Sequence, residues 1–81
     1  MVYKPLKNKQ EIQYEVERCV HLDRFVLADK VKIGIPLPTE LMELDENGCN
    51  WSMSFFRNAR GHLNAVRLAL SKTKESWNLG S

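Results

Sequence analysis

Cysteine is scarce and scattered. Only Cys19 and Cys49 occur in 81 residues, which excludes a disulfide framework and predicts two reduced structural thiols. There is no C-x-x-C pair and no H-x-x-x-H pair. Cys19 and His21, two apart on a helix, point roughly 200° away from one another, so Cys19, His21, Cys49 and His62 do not predict a zinc site. Four dispersed glycines form no phosphate-cradling loop. No apolar run approaches the roughly 18 residues of a membrane span. The lysines of the opening MVYKPLKNKQEI precede no apolar stretch of the signal-peptide kind. The nearest charges to Cys49 are Asp45 and Glu46, which raise rather than lower a thiol pKa, and neither His has a triad neighbour. These absences predict a cytoplasmic protein that is not an enzyme and uses no metal, cofactor or membrane.

What is present is a balanced globular composition, 43% hydrophobic and 27% charged, which argues against disorder. A chain of this length makes one small domain, placed at residues 1–79, with Gly80 and Ser81 read as an appended cloning remnant. The net charge of +2 conceals a segregation. Lys4, Lys7 and Lys9 meet no acid in the first ten residues. Residues 11–56 carry nine acids against Arg18, Arg24, Lys30 and Lys32. After that, Arg57, Arg60, Arg67, Lys72 and Lys74 face Glu75 alone. Basic ends around an acidic middle either steer an anionic partner or fold back onto the middle.

The elements follow from pattern. Asn8 with Glu11 three positions on is a capping box, and Ile12, Val16, Cys19 and Val20 form one stripe at helical spacing. The helix is clear to His21. Leu22 to Ala28 either extends it or breaks into a strand at Phe25; helix is favoured, because Leu22, Val26 and Leu27 flank the same stripe. In KVKIGIPLP, Val31, Ile33 and Ile35 alternate with polar positions, predicting a strand that ends at Pro36 and Pro38. Asn47-Gly48 fits a two-residue type I′ turn. That turn pairs Glu46 with Cys49, Leu44 with Trp51 and Met42 with Met53, so the apolar pattern and the turn select one register. A final helix is expected over Ala59–Trp77, capped by Asn58, with Leu63, Val66, Leu70 and Trp77 as its stripe, broadened by Ala59 and Ala69. The fold class is α+β in the order α-β-β-β-α. It is a three-stranded antiparallel sheet with the N- and C-terminal helices packed on one face, over Val31, Ile33, Ile35, Met42, Leu44, Trp51, Met53 and Phe55.

With its large apolar residues used in the core, the chain predicts a protein-interaction module that binds a protein partner or a second copy of itself. The candidate contacts are Tyr14 and His21, on the far side of the first helix from its apolar stripe, Phe25, which joins them if that helix continues, and Leu68, outside the stripe of the last helix. A second expectation is nucleic-acid binding. Arg60, Asn64, Arg67, Ser71, Lys74 and Asn78 recur at steps of three and four, with Arg57 extending the row. The third is a small ligand held between the last helix and the sheet.

Overall fold

The computed structural model describes residues 4–46 and 48–80. Its elements run β1 (Leu6–Lys7), α1 (Lys9–His21), α2 (Arg24–Asp29), β2 (Thr39–Glu40), β3 (Trp51–Ser52), α3 (Leu63–Ser76) and β4 (Asn78–Leu79). The class is α+β, with α1 packed on α3.

α1 begins as its sequence dictates. The Asn8 side chain accepts the Glu11 N–H at 2.8 Å, and the Glu11 carboxylate accepts the Asn8 N–H at 3.1 Å, so two of the helix's orphan donors are satisfied. Ile12, Val16 and Val20 turn inward. The helix stops at Leu22 because Asp23 starts another: its carboxylate accepts from Phe25 and Val26 N–H groups, a cap that requires extended backbone. Residues 24–29 are therefore helical, but as a separate short helix on a new axis. Of the three apolar residues expected to flank the stripe, Val26 alone is buried; Leu22 and Leu27 are exposed.

The expected three-stranded sheet is replaced by two separate pairs, β1 parallel to β4 and β2 antiparallel to β3. Residues 34 to 57 form one hairpin in which Gly34 pairs with Arg57, Thr39 with Ser52 and Glu40 with Trp51, all in the same antiparallel register. The strand expected in KVKIGI and the one expected before the turn are thus two parts of a single arm. Pro36 and Pro38 lie between them without N–H groups, and the ladder opens there. A Cβ on Gly34 would sit 3.0 Å from the Cβ of Arg57, a tight approach that glycine accommodates without a shift of the Arg57 side chain.

The register expected from the turn is displaced. Glu40 lies opposite Trp51, the place assigned to Leu44. Asn47 lies outside the described residues, and with it the type I′ turn. Around it, Gly48 N–H donates to Asp45 O, Asp45 N–H donates to Cys49 O, and the Asp45 carboxylate accepts the Cys49 N–H. Gly48 takes a φ of 71°, a region open to glycine. Asp45, not Glu46, therefore closes the loop, and its other carboxylate oxygen is held by Lys74 at 3.0 Å. Met42 and Leu44 project into solvent instead of the core, and so does Phe55, at φ 65° and 93% exposed.

The rest of the expected inner face holds. Ile33, Trp51 and Met53 are buried, with Val31 and Ile35 packed against them. Cys49, paired with Glu46 in the expected register, is fully buried. Trp51 lies in the centre, its Nε1 donating to the Trp77 carbonyl at 3.0 Å and the Lys74 ammonium 5.9 Å from its ring centroid.

α3 starts at Leu63, later than expected, since Asn58 and Gly61 both have positive φ and His62 occupies the cap position. Asn58 donates instead to the Lys32 carbonyl. The buried stripe is Ala65, Val66, Ala69 and Thr73, rotated from the expected one, and Leu63 is exposed.

The C-terminal strand joins the two ribbons. Asn78 N–H bonds to Pro5 O and Gly80 N–H to Lys7 O on one edge. On the other, the Asn50 side chain donates to Leu79 O at 2.9 Å and accepts Leu79 N–H at 2.7 Å. One amide side chain thus takes the place of a strand neighbour.

Candidate interaction surface

The four side chains singled out for protein contact divide into two groups. Tyr14 and His21 line a shallow hollow with Lys32. His21 belongs to the fold: its Nε2 accepts the Ile33 N–H at 3.0 Å, so Nδ1, 2.7 Å from the Glu17 carbonyl, carries the proton and donates. The imidazole brackets the first hairpin arm onto α1. A Tyr14–His21–Phe25 row does not form, because Asp23 redirects the chain before Phe25.

Phe25 instead shares a surface with Leu68. They line one hollow at the start of α3, and Leu68 lines a second, of about 450 Å³, with Leu22. Two residues far apart in sequence, chosen separately as exposed apolar positions, come together on one surface. Leu22, which the helical pattern places at the flank of the core stripe, belongs to this surface instead. Its position just before a capping Asp was the available signal: a chain that turns at Asp23 cannot keep Leu22 on the inner face. Leu22, Phe25 and Leu68 are each about two-thirds exposed, at 61%, 68% and 66%.

The hollow beside Leu68 continues along the α1–α3 groove into another, of about 400 Å³, reaching Thr73 and Trp77; Arg18, Cys19 and Lys72 line both. On the α1 rim the Arg18 guanidinium donates twice to the Glu15 carboxylate, which holds that carboxyl below its ordinary range. Burial, reinforced by the Glu15 hydrogen bond, pushes the Cys19 thiol up. Burial likewise raises Cys49, whose Sγ is 3.4 Å from the Trp51 carbonyl. Neither thiol is activated as a nucleophile. Among the described residues no three His, Cys, Asp or Glu side chains converge as metal ligands, and no helix is long and apolar enough to cross a membrane.

The basic row does not form one helical edge. Arg60 precedes α3 and Asn78 follows it in β4. Arg57, Arg60 and Arg67 are exposed, but Lys74 turns inward onto Asp45 and Trp51, its side chain 17% exposed. Asn78 is likewise engaged, with its side chain on the Asn50 N–H and the Gly48 carbonyl. The basic end thus folds back onto the acidic middle. Trp51, fully buried, lies against the end of the last helix.

Comparison of the chain with protein-family models, with curated proteins and with solved structures found no match.

Proposed function

We propose that this chain is a non-enzymatic protein-interaction module that associates with itself through the surface carrying Leu22, Phe25 and Leu68. The observation that supports the reading is the convergence of these three exposed apolar side chains from α2, α3 and the turn after α1. Together they offer on the order of 400 Å² of apolar surface, the size at which the largest patch on a monomer is often functional. One such patch on each of two copies amounts to on the order of 800 Å², below the roughly 1,600 Å² of a standard interface. The association is accordingly weak and concentration-dependent.

Light scattering over a concentration series tests it. The protein is expected to gain mass with concentration, and Leu68→Asp and Phe25→Asp to suppress the gain. A strict monomer at high concentration, unchanged by either substitution, refutes the reading.

A further inference from the structure

Along the groove between α1 and α3 the two rims differ in charge. The α1 rim is internally paired, Arg18 with Glu15. The α3 rim carries Lys72 and Glu75, both exposed, and neither has an ion pair among the described residues. Lys72 lines both hollows and Glu75 the one near Trp77. Leu68, Lys72 and Glu75 fall at i, i+4 and i+7, one stripe along the helix.

One cation and one anion, three residues apart on a single edge, form a self-complementary pattern. Under a twofold axis, a residue that meets a second one on the other copy is met in turn by that residue's counterpart. Antiparallel α3 helices with the axis between positions 72 and 75 satisfy all four charges at once. Four residues further out, about 6 Å along the axis, Leu68 of each copy comes level with the residues just past the end of α3 in the other. That is the neighbourhood of the hollow of about 400 Å³ lined by Cys19, Thr73 and Trp77. An apolar side chain thus meets a hollow of its own scale, and a third helix seats in the groove between two.

We infer that a second copy of this chain docks antiparallel along the α1–α3 groove, with Lys72 of each copy against Glu75 of the other. This rests on the self-association proposed above and adds its geometry: Leu68 enters the neighbouring groove, and Phe25 lies at the periphery.

Charge exchange tests it. Lys72→Glu and Glu75→Lys, followed by sedimentation velocity at low salt, are each expected to weaken the dimer about tenfold, since each replaces two attractions by two repulsions. The double variant K72E/E75K is expected to regain wild-type affinity within about threefold. An equimolar mixture of the two single variants is expected to form a mixed dimer tighter than either alone, and to loosen as salt is raised. Circular dichroism checks that helix content is retained; where a reversal lowers it, Lys72→Gln and Glu75→Gln serve, each expected to weaken the dimer about threefold. A wild-type dimer abolished by Leu68→Asp but indifferent to every charge change overturns this geometry and leaves self-association standing. So does a double variant that stays as weak as the singles. A monomeric wild type overturns both.

Discussion

Asn50 is where the account of the fold is most exposed to test. Its side chain makes two hydrogen bonds to one residue, donating to Leu79 O at 2.9 Å and accepting from Leu79 N–H at 2.7 Å. Leu79 is 8% exposed, so water does not readily replace the lost partner. Asn50→Ala removes both bonds and orphans a donor and an acceptor, each costing about 1–1.5 kcal/mol. The expected loss is about 2–3 kcal/mol, a large part of the roughly 4–12 kcal/mol available to a chain this size. Asn78→Ala is the internal control. Its side-chain bonds, to the Asn50 N–H and the Gly48 carbonyl, are longer, at 3.4 and 3.3 Å, and its loss is expected at about 1 kcal/mol or less. Asn50→Asp keeps an acceptor for the Leu79 N–H but sets a carboxylate oxygen against the Leu79 carbonyl, and is expected to cost at least as much as alanine. Urea unfolding followed by tryptophan fluorescence, at one low protein concentration, reads all three. A change under about 0.5 kcal/mol for Asn50→Ala, or a greater loss for Asn78→Ala, refutes the seam.

Four further outcomes follow from local features of the fold. His21→Ala strips the Ile33 N–H of its acceptor and is expected to cost about 1–3 kcal/mol, with faster exchange of the Ile33 amide; an unchanged exchange rate contradicts the bracket. Phe55→Gly relieves a left-handed phenylalanine that is almost wholly exposed, and is expected to raise stability by up to about 1 kcal/mol; a loss above about 1 kcal/mol would reveal packing that the structure does not contain. Both thiols have folded pKa values above the ordinary value of 9.0, chiefly through burial. Their contribution is fully present below that value and is lost as pH rises past about 9, because the unfolded chain releases its thiol protons first. Native-state alkylation is expected at Cys19 well before Cys49, the former half-buried and the latter closed off; equal rates oppose that placement.

Local chemistry was readable in the sequence, and the rest depended on distant groups. The Asn8–Glu11 box and the Ile12–Val16–Val20 face need only neighbours within a few residues, and both are where the pattern puts them. Trp51 is central, as its alternation predicts. The hairpin register misled because Met42 and Leu44 share the alternation of Trp51. What decides the loop is Asp45, held by Lys74 from α3, and no local pattern carries that contact. β1 and β4 are two residues each and come from opposite ends of the chain, too short for any period to show. Of the candidate surface, Phe25 and Leu68 were identifiable as exposed apolar residues, but their meeting required the turn at Asp23. Lys74 has the spacing of a surface cation, yet its partners are 29 and 23 residues away.

The most direct test of the functional account is sedimentation equilibrium of the wild-type chain beside Leu68→Asp, at matched concentrations. The account predicts a mass that climbs from monomer towards dimer for the wild type and stays at monomer for the variant. Two superimposable monomer profiles would contradict it.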